Sequence, residues 1–278
     1  MFDLSHPDVI RAVQAALAED IGTGDITTTL TVPAGRDASG AFYAREPMVV
    51  AGTELLPLIY GQMTGVASVE LLKSSGERAV PGECLARVHG SARTLLTAER
   101  TALNFIQRLS GVATLARHFA DALAGTKCRV LDTRKTTPGL RVLEKLASAA
   151  GGITNHRQGL FDAILIKNNH ITAAGGVRAA LAAVAGQAIP VEIEVRTIAE
   201  LDEALECGAQ RLLLDNLTPE QAREWIARIG GRASIELSGG ITLETARAYA
   251  EAGADFVSAG AITHSANALD INFRLALE

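Results

Sequence analysis

Charged side chains follow several short apolar runs of the sequence, at the points where each run ends. The cations Arg134 and Lys135 come just after the run "RVLD", and Lys167 closes the later run "AILIK". A third run, "VEIEV", carries Glu192 and Glu194 two positions apart, which places them on one face of a strand. Arginine binds carboxylate or phosphate bidentately and lysine supplies a point charge, so these positions predict part of an anion site.

Further residues with useful chemistry follow the same pattern. His156 and Arg157 come after a paired glycine, and Asp215 ends the run "RLLLD". Two small turns precede helix-patterned segments, namely Ser238-Gly239-Gly240 and Ala259-Gly260-Ala261. Glycine-rich backbone at a helix start donates N–H groups to phosphate oxygens. Acids in a cationic pocket suit a divalent metal with phosphate ligands, or stabilise developing positive charge. The predicted ligand is a strongly anionic small molecule that carries phosphates; whether it also carries carboxylates stays open.

The positions of these residues depend on the strands and helices that carry them. From position 127 onward, apolar runs starting near 128, 163, 191, 211, 234 and 255 alternate with amphipathic helical segments. This alternation indicates βα units and a parallel sheet. Six units fall short of the eight of a full (β/α) barrel, and an open doubly wound sheet stays possible although no GxGxxG loop follows the first strand. In either architecture, ligands bind at the carboxyl ends of the strands.

The N-terminal part has a different rhythm. Residues 38–90 contain short extended runs separated by turn signals, which predicts a smaller, partly antiparallel α/β region. The preceding "EDIGTGDITTTL" predicts a loop that enters a strand. An apolar stripe over 92–124 predicts a long helix, with a break at Ser110-Gly111.

Composition limits the function. The 278-residue chain is 48% hydrophobic and 21% charged, which is typical of a globular protein. Its net charge of −5 argues against a general nucleic-acid surface. The sequence shows no signal peptide or membrane span, and its three scattered cysteines predict free thiols, so we expect a cytoplasmic protein.

Eight ordered segments together resemble the quinolinate phosphoribosyltransferase family, over nearly the whole chain. They are "EDIGTGDITT", "ERTALNFIQRLSGVAT", "DTRKTTPGLR", "NHRQGLFDAILIKNNHI", "EIEV", "LLLDN", "SGGI" and "GAITHS". The resemblance implies an α/β fold with an N-terminal α/β sandwich domain (1–110) and an incomplete (β/α) barrel of parallel strands (111–278). It also implies that the C-terminal tail returns to the first domain, and that the protein is a homodimer or larger homo-oligomer with shared active sites.

The resemblance further implies a reaction and a set of site residues. Quinolinate and phosphoribosyl pyrophosphate would give nicotinate mononucleotide, pyrophosphate and CO₂, with Mg²⁺ as cofactor. The expected substrate contacts are Thr133, Arg134, Lys135, His156, Arg157 and Lys167, with Arg100 from the neighbouring subunit. Glu194 and Asp215 would serve Mg²⁺ and the ribosyl side, and with Lys135 and Lys167 they form the expected catalytic set. The turns Ser238-Gly239-Gly240 and Ala259-Gly260-Ala261 would hold the 5′-phosphate.

One segment departs from the family pattern. The family shows an aromatic residue, an arginine and three glycines before "NHR", in the form "KYAVRCGGG". This chain has "EKLASAAGGITNHR", with Leu146, Ala149 and Ile153 at the altered positions. We therefore expect the loop that presents His156 and Arg157 to be shaped differently.

Other functions stay open from the residues. A paralogue associated with molybdenum transport would keep the fold but change the substrate. Lys167 could form the Schiff base of a class I aldolase, and an anion-binding regulatory module would need no catalysis. A type I phosphoribosyltransferase fits poorly, because "RLLLDNLT" has a single acid. Each cation could also lie in a solvated loop, and Glu194 and Asp215 could be plain salt-bridge partners.

Overall fold

The computed structural model describes residues 4–277, with only the backbone described at position 67. Its helices are α1 (Pro7–Ile21), α2 (Ile26–Thr31), α3 (Leu55–Gly61), α4 (Ala92–Ala122), α5 (Arg141–Ala150), α6 (Asn168–Ala174), α7 (Val177–Ala183), α8 (Ile198–Glu206), α9 (Pro219–Ile229), α10 (Leu243–Glu251) and α11 (Ala261–His264). Its strands are β1 (Asp37–Ala44), β2 (Met48–Val49), β3 (Val66–Leu71), β4 (Arg78–Ala79), β5 (Cys84–Ser91), β6 (Arg129–Leu131), β7 (Ile164–Ile166), β8 (Val191–Val195), β9 (Arg211–Asp215), β10 (Ser234–Ser238), β11 (Phe256–Ser258) and β12 (Ile271–Leu277).

The chain divides into two compact units. The first comprises the described parts of 1–117, 136–152 and 262–278, and the second comprises 118–135 and 153–261. The predicted domain boundary at 110 and 111 stays a prediction, since these units are built from interleaved segments of the chain.

The first unit contains a four-stranded antiparallel sheet in the order β12-β1-β5-β3. Alternate residues of β1 are buried, as expected for a strand with one face on a core. Phe42 of β1 lies opposite Phe273 of β12, with ring centroids 4.9 Å apart. A Cβ at Gly40 would lie 2.1 Å from the Phe273 ring, so this pairing requires glycine there. The C-terminal strand is thus an integral part of the first sheet.

Helix α4 runs without interruption through Ser110 and Gly111, so the predicted break was wrong. Ser110 Oγ accepts a hydrogen bond from the Ala51 amide at 3.0 Å, which draws the helix against a neighbouring segment. A Cβ at Gly111 would lie 1.9 Å from the Asn267 carbonyl oxygen. The two small residues therefore permit close packing of backbone against the helix, rather than ending it.

The segment predicted as a loop entering a strand is also different, because it contains helix α2. Asp25 is its N-cap, and its carboxylate accepts a hydrogen bond from the Thr28 amide at 2.9 Å. Thr97 Oγ1 donates a second hydrogen bond to Asp25 at 3.0 Å. A capping aspartate with a partner from α4 outweighs the low helix propensity of the threonines.

A buried ion pair connects all three chain segments of the first unit. Glu144 is fully buried, and its Oε1 accepts hydrogen bonds from Arg108 Nε at 3.0 Å and Nη2 at 2.7 Å. Thr137 donates to the same carboxylate through its amide and its hydroxyl. Arg108 also donates to the carbonyl oxygens of Ala266, at 2.6 Å, and Thr263. Both charged groups are therefore paired with partners from distant parts of the sequence.

The second unit contains a six-stranded sheet, with the strand order β6-β11-β10-β9-β8-β7 and parallel pairing throughout. From β7 to β11 the spatial order follows the chain order, and β6 lies beside β11. This is the order of a barrel opened between β6 and β7, whereas a doubly wound sheet reverses direction. An isolated bridge from Leu131 to Thr154 lies at this seam. The prediction of an incomplete parallel barrel is confirmed.

The structure bears on membrane spans and on the cysteines within the described residues. No helix within residues 4–277 is both long and apolar enough to cross a bilayer. Cys128 is buried, Cys84 and Cys207 are half-buried, and all three are free thiols. Burial raises the pKa of Cys128 to about 12, so this thiol is protonated at neutral pH.

Candidate active site

Most of the predicted site residues lie at the carboxyl ends of the strands in the second unit. Thr133, Arg134 and Lys135 follow β6, Lys167 follows β7, Glu194 lies in β8, Asp215 ends β9, Ser238 ends β10 and precedes Gly239 and Gly240, and Ala259, Gly260 and Ala261 follow β11. His156 and Arg157 follow the bridge at the seam. Arg100 lies on α4 in the first unit and is exposed.

Register places the acidic side chains on one face of the sheet. Leu213 of β9 is in register with Glu194 of β8 and with Glu236 of β10. Neighbours in register point to the same side, as do residues two apart along a strand. Asp215, two residues after Leu213, and Glu192, two residues before Glu194, therefore share this face.

The cations Arg134 and Arg157 lie close to each other. Burial and the charge of Arg134 together lower the pKa of Arg157, although an arginine stays protonated at any physiological pH. Arg157 Nη1 donates to the Ala163 carbonyl at 3.1 Å. The Nε atoms of both guanidinium groups are buried and have no hydrogen-bond partner among the described residues. Two adjacent cations with buried unpaired donors form a site that an anion would satisfy.

Glu194 and Asp215 form a carboxylate pair on adjacent strands. Glu194 is buried, and its Oε2 accepts a hydrogen bond from Lys167 Nζ at 3.3 Å. Burial and the charge of Glu194 raise the pKa of Asp215, while Lys167 and Lys135 act in the opposite direction. Since each carboxylate raises the energy of its charged neighbour, a cation brought between them is stabilised. Oxygen donors in this arrangement fit the preference of Mg²⁺.

The turn after β10 lies beside Asp215, with which Ser238 is in register. The Ser238 carbonyl accepts a hydrogen bond from the Asn216 amide at 2.9 Å. Gly239 has φ 98°, and a Cβ there would lie 2.3 Å from the Asn216 side-chain oxygen. Glycine is therefore required at this position for both its conformation and its close contact.

Sequence reasoning did not name Glu236, and it gave Glu192 no role beside His156. Its Nε2 lies 3.4 Å from Glu192 Oε2 and 3.3 Å from Glu236 Oε2, and the three side chains are 14%, 12% and 3% exposed. Burial alone would lower the pKa of His156, but the hydrogen bonds to Glu192 and Glu236 outweigh burial and raise it to about 9. Burial also raises the pKa of Glu192. The available signal was a glutamate inside each of two apolar strands.

The other ring nitrogen of His156 is engaged as well. The Arg157 amide donates a hydrogen bond to His156 Nδ1 at 2.6 Å. An accepting Nδ1 carries no proton, so a neutral ring has its proton on Nε2, facing the carboxylates. A fully protonated ring would conflict with this hydrogen bond. We therefore assign the additional proton implied by the raised pKa to the cluster of Nε2 and the two carboxylates as a whole.

Asp132 was also missed, and it holds the same segment by its backbone. This carboxylate is fully buried after β6. Its Oδ1 accepts a hydrogen bond from the His156 amide at 2.8 Å, and its Oδ2 accepts one from Asn155 Nδ2 at 2.6 Å. Hydrogen bonds to a buried carboxylate are charge-assisted and strong. The seam segment is thus fixed from β6, β8 and β10.

Comparison with known proteins identifies one family over both halves of the chain. Residues 25–110 match the family model "Quinolinate phosphoribosyl transferase, N-terminal domain", and residues 112–274 match the model for the C-terminal domain. The carboxylating nicotinate-nucleotide pyrophosphorylase of Mycobacterium leprae is 44% identical over 271 residues, covering 95% of each chain. A mitochondrial decarboxylating quinolinate phosphoribosyltransferase of Nicotiana tabacum is 39% identical, covering 99% of this chain and 84% of that protein.

Solved structures agree with these relatives. The crystal structure of NadC from Streptococcus pyogenes superposes with a TM-score of 0.93 at 37% identity, covering 100% of both chains. The nicotinate-nucleotide pyrophosphorylase of Francisella tularensis gives 0.92 at 37% identity, covering 99% of this chain and 100% of that one. Family models, relatives and structures each span nearly the whole molecule, and the chain therefore belongs to the quinolinate phosphoribosyltransferase family.

Proposed function

We propose that this protein is a carboxylating nicotinate-nucleotide pyrophosphorylase of NAD biosynthesis. It transfers the phosphoribosyl group of phosphoribosyl pyrophosphate to quinolinate, and releases nicotinate mononucleotide, pyrophosphate and CO₂. The observation that carries the proposal is the arrangement of Arg134 and Arg157 with the Glu194–Asp215 pair at the carboxyl ends of one sheet. A dicarboxylate requires positive charge, and a cationic ribosyl centre requires negative charge, so one site must supply both.

The cations are proposed to bind quinolinate. Arg134 and Arg157 have buried, unpaired Nε donors, which two ring carboxylates can accept from. Lys167 lies at the boundary with the acids, since it donates to Glu194. Thr133 is half-buried beside these cations, where its hydroxyl accepts a hydrogen bond from the Lys135 amide at 3.0 Å. This set would hold the ring nitrogen in one orientation toward the ribosyl carbon.

The acids are proposed to serve the ribosyl side. Attack by the pyridine nitrogen forms the N–C1 bond, while the C1–oxygen bond breaks and pyrophosphate departs with the electron pair. Glu194 and Asp215 would stabilise the positive charge that develops at the ribosyl carbon. Lys135 and Lys167, whose charges act on Asp215, would offset negative charge on the departing pyrophosphate. Glu194 and Asp215 would also hold Mg²⁺, directly or through phosphate, and the bound ion would supply further charge neutralisation.

Decarboxylation follows from the charge on the new nucleotide. The quaternary ring nitrogen stabilises the electron pair left at the adjacent carbon when its carboxylate leaves as CO₂. A proton from water or a protonated side chain then completes that carbon. No covalent enzyme intermediate is needed. The 5′-phosphate would lie against the turns at 238–240 and 259–261, beside Asp215.

The alternatives receive less support. A Schiff-base lysine must present its nitrogen to a carbonyl substrate, whereas Lys167 Nζ is engaged in a hydrogen bond to the buried Glu194 at 3.3 Å. A paralogue for molybdenum transport would have no use for a dicarboxylate pocket. A regulatory module would leave the Glu194–Asp215 pair without a role.

The decisive measurement is a coupled assay with quinolinate, phosphoribosyl pyrophosphate and Mg²⁺. We expect formation of nicotinate mononucleotide and CO₂ in equal amounts, and loss of turnover when EDTA removes the metal. A protein that forms neither product, under conditions where a known family enzyme is active, would contradict the proposal. Borohydride trapping of Lys167 with a carbonyl substrate would instead favour the aldolase.

We also propose that the protein is a cytoplasmic homodimer or larger homo-oligomer, in which Arg100 completes the site of the neighbouring subunit. Large apolar side chains are exposed in each unit of the single chain. Ile26 and Leu30 of α2 are 72% and 79% exposed, and Leu160 and Phe161 are 74% and 79% exposed. Pairs of exposed apolar residues support a partner surface of the same chain.

Subunit complementation tests the shared site. Arg100→Ala and Lys167→Ala proteins should each be nearly inactive, because each lacks one cation of every site. A mixture that exchanges subunits should regain about a quarter of the wild-type activity, since mixed dimers contain one intact site. Subunit exchange is verified first with differently labelled proteins. Exchange without any regained activity would place Arg100 in the site of its own chain.

A further inference from the structure

We infer that Glu192 and Glu236 are positioning residues, which hold the His156 ring within the second unit so that Arg157 is directed at the quinolinate carboxylates. The inference rests on the proposed function for its substrate, and on geometry for the rest. It changes the role expected for His156, from a direct substrate contact to the support of its neighbour.

Both nitrogens of the His156 ring are engaged within the protein. Nε2 faces two buried carboxylates at 3.3 and 3.4 Å, and Nδ1 accepts the Arg157 amide at 2.6 Å. A ring held in this way offers neither nitrogen to a ligand without first losing a hydrogen bond. Removing one partner of such a buried set leaves the others unsatisfied, which is costly.

The hydrogen bonds of the ring disfavour the other use of this cluster, which is a metal site. The ligand atoms of His156, Glu192 and Glu236 all lie within 4.8 Å of one another, a spacing that a metal ion could bridge. A metal on Nε2 requires a lone pair there and leaves the proton on Nδ1. Here Nδ1 is the acceptor, so the proton is on Nε2. The observed hydrogen bonds therefore favour positioning over metal binding.

The His156 ring also restrains the backbone of Arg157. The backbone is held on both sides of the His156 Cα, because the His156 amide donates to Asp132 Oδ1 and the Arg157 amide donates to the His156 ring. Arg157 then lies near Arg134, whose charge acts on it. Like charges repel, so two guanidinium groups stay together only when their backbone is fixed. The carboxylates supply that restraint.

The backbone just before His156 is also anchored in the second unit. Ile153 is buried, and Thr154 bridges to Leu131 at the seam. The segment that carries Arg157 is therefore restrained by this bridge, by Asp132 and by the glutamate pair.

The charges around His156 also set a pH dependence. Glu192 on β8 and Glu236 on β10 face the His156 ring. The charge of Arg211 on β9 acts on Glu192. Asp132 after β6 and Arg157 contact His156 through the backbone amides. A pKa raised from 6.5 to about 9 stabilises the cluster fully below pH 6.5, and this stabilisation is lost as pH rises through 9. We expect KM for quinolinate to rise over the same interval.

The test measures Glu236→Gln in two backgrounds. In the wild-type protein, the substitution should raise KM for quinolinate about tenfold, with KM for phosphoribosyl pyrophosphate unchanged, because a misdirected Arg157 affects only the dicarboxylate. The rise of KM with pH should move to lower pH, since one of the groups that raise the His156 pKa is neutral. In the Arg157→Ala background, Glu236→Gln should change KM less than about twofold.

A direct role of His156 predicts a different result. Equal effects of Glu236→Gln in both backgrounds would overturn the inference, because positioning requires the residue that is positioned. The matched control is Glu251→Gln, which removes a carboxylate from an exposed ion pair with Arg247, both 54% exposed. We expect it to leave both KM values unchanged.

Hydrogen exchange tests the restraint without any substrate. The amides of His156 and Arg157 should exchange faster in Glu236→Gln and Glu192→Gln than in the wild type, while amides of β1 and β5 are unaffected. Unchanged exchange at both amides would overturn the positioning role. If the wild type did not turn over quinolinate, faster exchange would still establish the restraint, and only the proposed function would fail.

Discussion

We expect Arg134→Ala to lower kcat/KM for quinolinate by roughly 100-fold or more. The substitution removes a charge-assisted carboxylate contact, which contributes about 2–3 kcal/mol. Arg134 is half-buried, with an unpaired Nε beside the second cation of the pocket, so water replaces its contact poorly. Arg134→Lys should restore the charge but not the bidentate geometry, and should regain only part of the loss.

A control at the other end of β6 separates the effect of position from the effect of charge. Arg129 begins β6 and is exposed, whereas Arg134 follows the end of this strand. Arg129→Ala also removes one arginine charge, and we expect kcat/KM within about twofold of wild type. Steady-state kinetics with quinolinate varied at saturating phosphoribosyl pyrophosphate measures all three variants. Full turnover of Arg134→Ala would mean that this arginine lies in a solvated loop.

The parallel sheet could be predicted because its strands are short and mostly apolar. Buried on both faces, a parallel strand needs a continuous apolar stretch, and "RLLLD" and "FVS" are recognisable as such. Their order along the chain is also their order in space, except for β6. The sequence alone therefore predicts that the strand ends share one edge, and most of the predicted site residues of the second unit lie at that edge.

The errors have a different origin. A capping aspartate turned "ITTTLT" into α2, and the Asn267 carbonyl required the glycine that was interpreted as a break in α4. In both cases a partner distant in sequence determines the local structure. Propensity cannot include such a partner, since it describes only the neighbours along the chain.

The cluster at His156 shows the same limit within the site. Glu192 and Glu236 are 44 positions apart in the sequence. They both contact His156 only because β8 and β10 flank β9 in the sheet. The alternation of "VEIEV" predicted a shared face for Glu192 and Glu194, but not their separate partners. Residue types can thus indicate which groups are available for chemistry, whereas the pairing of those groups follows from strand order.

The largest expected loss of stability comes from Arg108. Arg108→Met should lower the free energy of unfolding by about 3–5 kcal/mol, because it leaves the fully buried Glu144 charged and without its cation. The carbonyl oxygens of Thr263 and Ala266 lose a donor as well. Urea unfolding followed by circular dichroism measures the change.

The double variant Arg108→Met/Glu144→Met separates the charge from the hydrogen bonds. Without a buried charge the protein should recover part of the loss, since an apolar pair can replace a buried ion pair. Recovery should stay incomplete, because the Thr137 amide and the two carbonyl groups still lack partners. The control Arg87→Met breaks a pair with Glu70 that is 58% exposed on both sides, and should cost less than about 1 kcal/mol. If Arg108→Met cost as little as this control, the stability of the first unit would not depend on the pair, and other contacts would hold its three chain segments together.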